Sequence, residues 1–263
     1  MSNKKDLLIE IGTEELPPKA LKRLSEAFTR GVVEGLDKAE LAHASVSAYA
    51  TPRRLALLVH ELDVSQGDRT VEKRGPALSA AFDAEGKPTR ATEGFARSCG
   101  TTADQLQTLE SDKGAWLIHR SMQQGQPTAE LIPAIVEESL HKLPIPKRMR
   151  WGSLEAEFVR PVHWLVLLFG DDVIDAEILS VKSGRDTCGH RFHHPDPIYL
   201  GEPAAYAPIL ETTGHVIADF AARREAIRTQ VMEAAAKNGG TAVIDDELLD
   251  EVTGLVEWPL AVV

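Results

Sequence analysis

Leu7-Leu8-Ile9-Glu10-Ile11-Gly12-Thr13-Glu14-Glu15-Leu16-Pro17-Pro18-Lys19-Ala20-Leu21 changes its hydrophobic period midway. Residues 7–11 form an apolar run of strand length. Leu21, Leu24, Phe28 and Val32 then follow at helical spacing, so the helix has one buried face. The switch falls between Thr13 and Pro18. Thr13 is placed to accept a backbone hydrogen bond near a first helical turn, and the prolines suit positions where no N–H is needed. A strand feeding directly into an amphipathic helix sets an α+β reading.

Working outward, residues 45–50 alternate small and apolar side chains. Leu55, Leu57 and Val59 follow a turn at Thr51-Pro52, which makes residues 1–66 an N-terminal α+β unit of strand, helix, strand, strand. Gln66-Gly67-Asp68 marks a boundary. Residues 67–150 read as a middle α/β unit. It has a helix over 89–98 with Ala91, Phe95 and Ala96 on one face, a strand over 115–121, and a helix over 128–142 with Leu131, Ile135 and Leu140 inward. Pro144-Ile145-Pro146 stops that helix before a basic segment. Residues 151–263 form a third α+β unit. Strands over 162–169 and 173–181 join at Gly170-Asp171-Asp172. A helix over 219–238 presents Phe220, Ile227, Val231 and Ala234 and ends at Gly239-Gly240. A last helix covers 245–254, capped by its acidic start. The apolar tail from Val256 reads as a strand, and the whole as a multi-domain mixed helix/sheet fragment of a longer chain.

Composition narrows the function classes. The 263 residues carry 29 Lys plus Arg against 40 Asp plus Glu, a formal net charge of -11, which disfavours nucleic-acid binding by the whole surface but permits local basic patches. Residues 164–169 are the longest strongly apolar run, far short of the roughly 20 needed to span a bilayer. The opening Met1-Ser2-Asn3-Lys4-Lys5-Asp6 lacks signal-peptide features. Cys99 and Cys188 are too few for a disulfide framework, so a cytoplasmic location is expected.

Motifs for nucleotide-phosphate loops, zinc helices and nucleophile elbows are absent from the sequence. The densest chemistry is Cys188-Gly189-His190-Arg191-Phe192-His193-His194-Pro195-Asp196. Its spacing fits no common structural zinc module, so no metal site is assigned. Arg191 suits bidentate phosphate binding; alternatively the segment orients a loop. Basic clusters lie at Arg53-Arg54, at Lys73-Arg74, and over Lys142, Lys147, Arg148, Arg150 and Arg160, where Trp151 and Phe158 interleave. Each is either a phosphate-binding patch or a solvated charged face. Glu14-Glu15 reads as complementing a helix N-terminus, and His163 and Trp164 as core.

The sequence resembles the beta subunit of bacterial heterotetrameric glycyl-tRNA synthetase. The matching residues are Ile9-Glu10-Ile11-Gly12-Thr13-Glu14-Glu15-Leu16-Pro17-Pro18, Pro52-Arg53-Arg54-Leu55, Glu72-Lys73-Arg74-Gly75-Pro76, Phe82-Asp83-Ala84-Glu85-Gly86-Lys87-Pro88, Met149-Arg150-Trp151-Gly152, Phe158-Val159-Arg160-Pro161-Val162-His163, Gly189-His190-Arg191-Phe192 and Leu255-Val256-Glu257-Trp258-Pro259. The resemblance implies a ligase that charges tRNA-Gly with glycine. It implies that ATP, magnesium and the catalytic core lie in the alpha subunit, so no catalytic residue and no cofactor is assigned to this chain. It implies as partners the alpha subunit, tRNA-Gly and the remainder of the beta subunit, with no membrane. The segment is also similar, at the level of fold, to tRNA-handling modules of the phenylalanyl-tRNA synthetase beta subunit. Arg53, Arg54, Lys73, Arg74, Lys147, Arg148, Arg150, Arg160 and Arg191 are the residues expected to touch tRNA, mostly through phosphates. The alternatives are a scaffold that docks the alpha subunit and a hydrolytic editing module built on the His190–His194 cluster.

Overall fold

A computed structural model describes residues 3–83, 85–111 and 114–263. Met1 and Ser2 of the opening segment and Ala84 of the Phe82-to-Pro88 match lie outside the described residues. The elements in order are β1 (Lys4–Thr13), α1 (Pro18–Lys38), β2 (Ser45–Thr51), β3 (Arg54–Asp63), β4 (Arg69–Ala77), α2 (Leu78–Ala81), α3 (Arg90–Ser98), β5 (Gln107–Ser111), β6 (Gly114–Gln123) and α4 (Thr128–His141). There follow β7 (Val162–Phe169), β8 (Asp172–Val173), β9 (Glu177–Ile178), β10 (Val181–Gly184), β11 (Asp186–Cys188), β12 (Pro197–Tyr199), α5 (Tyr206–Thr212), α6 (Phe220–Lys237) and α7 (Asp246–Thr253).

These mixed helices and sheets make an α+β fold in two compact units. The first joins the residues up to Ser65 with those from Gln126 onward; the second is Gln66–Gly125. Ser65 and Pro127 pair as an antiparallel bridge, so the chain leaves and re-enters the first unit at one point. The division differs from the three successive units expected at 1–66, 67–150 and 151–263. The reason is packing: β1 pairs antiparallel with both β3 and β7, and α4 lies against α1. Residues 126–150 and 151–263 therefore share a core with residues 1–65.

The first unit is built on a seven-stranded sheet in the order β2-β3-β1-β7-β10-β9, with β8 on β7. Alternation along β1 sends Leu7, Ile9 and Ile11 to one face, where they meet Leu21, Leu24, Phe28, Val32 and Leu36 of α1 and Ile132, Ile135 and Val136 of α4. Leu8, Glu10 and Gly12 point to the other face. There Leu8, Ala56, Leu58, Trp164, Val166 and Leu168 pack under Ile198, Tyr206, Leu210 and Val216. Both faces of β1 are buried, which is why its sequence is nearly continuously apolar.

Several local features depart from the sequence reading. Thr13 ends β1 and does not cap α1; the helix starts five residues later behind Pro17, with Pro18 in its first turn. Between them Glu14 N–H donates to the Pro161 carbonyl and Leu16 N–H to that of Pro52, so the linker is fixed by the residue before β7 and the turn between β2 and β3. The expected strand over 173–181 is broken into β8, β9 and the start of β10; between β9 and β10, Leu179 and Ser180 turn the chain at positive φ. The tail from Val256 joins no strand. In α3, Thr92 and Ala96 are buried while Ala91 faces solvent. In α6, Val231 is exposed and the buried positions are Arg223 and Ile227. Arg223 reaches backbone carbonyls of Ala50 (2.7 Å), Ile217 (2.6 Å) and Thr253 (3.1 Å), so a polar residue takes the inward position that periodicity assigns to an apolar one.

The second unit is a three-stranded antiparallel sheet, β4-β6-β5, with α2 and α3 packed on it.

Candidate functional site

At the end of β1 that leads into α1, polar residues gather on the sheet face opposite that helix. Register places Gly12 beside Arg54 and Trp164, and Glu10 beside Ala56 and Val166. Arg54 is 0% exposed. Its Nη1 donates to Glu10 Oε1 (3.1 Å) and Thr187 Oγ1 (3.4 Å), its Nη2 to the Cys188 carbonyl (2.8 Å) and Glu257 Oε1 (3.2 Å), and its Nε to Thr51 Oγ1 (3.2 Å). Glu10 Oε1 also accepts from Tyr206 Oη (2.8 Å) and Thr187 Oγ1 (2.9 Å). Burial works against charge on Arg54, but Glu257 and Glu10 outweigh it and hold the guanidinium firmly protonated. This hub ties β1, β3, β11, α5 and the segment after α7 together. It also removes Arg54 from the residues that can touch a nucleic acid.

A half-exposed rim lies beside the hub. Arg191 Nη2 donates to Glu14 Oε2 at 2.6 Å, and its Nη1 lies 3.0 Å from Glu15 Oε1. His163 Nε2 is 3.0 Å from Glu14 Oε1. Glu14 and Glu15 thus grip Arg191 and do not sit in the first turn of α1, and His163 belongs to the surface and not to the core. The hydrogen bond from Arg191 holds the Glu14 carboxyl below its usual range. With two carboxylates on its fork, Arg191 has no free bidentate edge for a phosphate.

The histidines form a ladder. Ring centroids lie 4.5 Å apart for His190 and His193, 5.6 Å for His193 and His215, and 5.4 Å for His215 and Trp258. They adjoin a cavity of about 220 Å³ lined by Arg53, His190, Arg191, Phe192, Glu257 and Trp258, among others. Among the described residues no group of three or more His, Cys, Asp or Glu is arranged to hold a metal ion. Burial, with Glu10 next, pushes the Cys188 thiol up, so it is a poor nucleophile at neutral pH.

His190 Nδ1 accepts from the backbone N–H groups of Phe192 (3.2 Å) and His193 (3.3 Å), which requires the neutral ring. Burial pushes its pKa below the ordinary 6.5; Glu257 opposes this, while His193, Arg53 and His215 add to it. The unfolded chain takes up this proton at a higher pH than the folded one does. Stability therefore falls as pH drops below about 6.5 and levels off beneath the folded value. His190→Gln is expected to flatten that part of the profile, read from urea midpoints between about pH 7.5 and pH 5.5.

The other basic residues separate by partner. Arg148 donates to the Leu140 and His141 carbonyls and caps the end of α4. Arg160 donates to the carbonyls of Glu15 and Val159, and Arg150 pairs with Glu157 at 2.8 Å. Arg53 is half-buried over the Trp164 ring. Lys73, Arg74 and Lys147 are exposed and, among the described residues, have no carboxylate within ion-pair distance. Sequence clustering alone does not separate these roles, because it does not show which cation bends back to a helix end or a nearby carboxylate and which meets a distant segment, as Arg53 meets Trp164 and Arg160 meets Glu15.

A family model described as glycyl-tRNA synthetase beta subunit matches residues 7–263. The chain belongs to that family. A relative from Hahella chejuensis, named glycine–tRNA ligase beta subunit, is 60% identical over 259 residues, which is 98% of this chain and 37% of the relative. Relatives of the same name from Marinobacter nauticus and Chromohalobacter salexigens are 57% and 55% identical, each over 97% of this chain and 37% of the relative. The chain thus spans about 37% of the length of these glycyl-tRNA synthetase beta subunits. The hub places Glu10, Arg54 and Glu257, which come from three of the segments that carry the resemblance, in one buried network.

Proposed function

We propose that this chain is the tRNA-handling and structural part of a glycine–tRNA ligase beta subunit. It supports ATP-dependent attachment of glycine to tRNA-Gly, with the chemistry in the alpha subunit. Family membership carries the reading. The buried hub supports it, because Arg54 is fully used in structure and the neighbouring Cys188 thiol is held protonated. The half of the reading that concerns tRNA rests on the exposed cations without carboxylate partners, which suit phosphate contacts that position an acceptor arm.

Lys147 immediately precedes Arg148, which caps α4, and is exposed with no carboxylate partner among the described residues, so its ammonium is free to meet a phosphate. In the full-length beta subunit assembled with alpha, Lys147→Gln with Arg150→Gln is expected to weaken tRNA-Gly binding several-fold. The slope of log affinity against log salt should fall by about one for each phosphate that is no longer neutralised. Arg148 is left intact, since its removal would fray α4. Unchanged affinity and slope would instead favour docking of the alpha subunit without direct tRNA contact. No helix among the described residues is long and apolar enough to cross a membrane.

A further inference from the structure

The two faces of the three-stranded sheet in the second unit carry different side chains. Register pairs Glu72 with Arg120, Arg74 with Ile118, Thr70 with Met122 and Leu109 with Trp116. Alternation then puts Arg74, Trp116, Arg120 and Met122 on one face. Phe95 of α3 occupies the space where a Cβ on Gly75 would project, which seats that helix on the opposite face. On the face away from α3, beside the buried Ile118, the Arg74 guanidinium lies 3.5 Å from the Trp116 ring centroid. Trp116 is half-buried beneath it, Arg74 is exposed, and Met122 is 72% exposed.

We propose that this face is a stacking platform for unpaired RNA nucleotides; the inference rests on the tRNA-binding reading above and assigns it a part of the RNA. The warrant is the state of the Arg74 charge. Arg120 is paired with Glu72 at 2.9 Å, whereas Arg74 has no carboxylate partner among the described residues. A guanidinium flat on an indole keeps its N–H donors at its edge, where a phosphate can meet them. Its outer plane is left for a base to stack on. A base inside a duplex has no free π-face, so the fit is to single strands. The charge distribution agrees. Residues 66–125 hold eight Lys or Arg and eight Asp or Glu, so the whole net charge of -11 is carried by the rest of the chain. A polyanion is repelled least at the second unit.

The test uses the 263-residue chain with a short oligoadenylate, a blunt RNA duplex of equal nucleotide count, and tRNA-Gly, each in a salt series. The single strand is expected to bind more tightly than the duplex. Trp116→Ala should cost about tenfold, within the range of one base–aromatic stack, while Trp116→Phe keeps most of the affinity. Arg74→Lys keeps the charge but not the planar surface, and should weaken binding while leaving the salt slope nearly unchanged. Equal binding of strand and duplex, or wild-type affinity in Trp116→Ala or Arg74→Lys, overturns the platform. If tRNA-Gly binding survives those variants yet falls with Lys147→Gln and Arg150→Gln, the tRNA reading stands and the platform alone fails. If the unmodified chain binds no RNA at low salt, both fail.

Discussion

Arg54→Met is expected to lower the unfolding free energy by about 3–5 kcal/mol, the cost of removing one partner from a buried ion cluster. Methionine keeps the unbranched apolar stem but not the guanidinium fork. What disappears is the donor set. Glu10 and Glu257 remain in a site with 0% and 5% exposure and no compensating cation on their shared guanidinium, and the Cys188 carbonyl is deprived of its 2.8 Å donor. Urea unfolding of the two proteins, fitted with a common slope, measures the difference. A second variant separates charge from shape. Arg54→Met with Glu10→Gln takes one stranded carboxylate away and keeps an acceptor for Tyr206 and Thr187, so it should recover part of the stability. A single-variant cost below about 1 kcal/mol, within the range of a surface pair, would contradict the buried-hub account.

The hub also marks where a sequence stops being legible. The buried run of β1 and the helical face of α1 can be read, because period and apolar content report burial on one element at a time. Arg53-Arg54 can be read only as a basic dipeptide. Arg54 meets Glu10 forty-four positions away and Glu257 two hundred and three positions away, and no local pattern encodes such pairing. Its neighbour Arg53 sits in the turn before β3, and both guanidiniums lie near the Trp164 ring, yet Arg53 stays half-buried while Arg54 is fully buried. Arg191 and Glu14 lie 177 positions apart. Each alone reads as something else, a phosphate ligand and a helix-end charge.

The same limit applies to the helices. The acidic start of α7 is legible as a cap, and Asp245 accepts from the Leu248 N–H at 2.8 Å, because that contact is local. The inward face of α6 is not, since Arg223 gains its place through carbonyls that other segments supply. Burial holds that guanidinium down to about 10, still charged at neutral pH. The platform on β4 and β6 belongs with these. Arg74 and Trp116 are 42 residues apart and become a unit only once the register of the two strands is known.

Gly12→Ala carries the second large effect and tests the sheet from the opposite side. A Cβ on Gly12 would lie 1.9 Å from two ring atoms of Trp164 and 2.4 Å from a third. The ring is buried and is flanked by Arg53 and Arg54, whose guanidinium carbons sit 5.6 and 5.5 Å from its centroid. It has no solvent to move into. Relieving the overlap must either push Trp164 off its rotamer or part β1 from β7, where Gly12 and Trp164 are register partners. Overpacking of this kind costs typically about 1–3 kcal/mol, and occasionally more. The upper end is expected here because the obstacle is a rigid indole that also floors the hub. Thermal and urea unfolding measure the destabilisation. The double variant Gly12→Ala with Trp164→Leu removes the obstacle, so the cost of the alanine measured in the leucine background should be far smaller than in the parent. If the two substitutions simply add, the close approach of ring and backbone is not what requires glycine at this position.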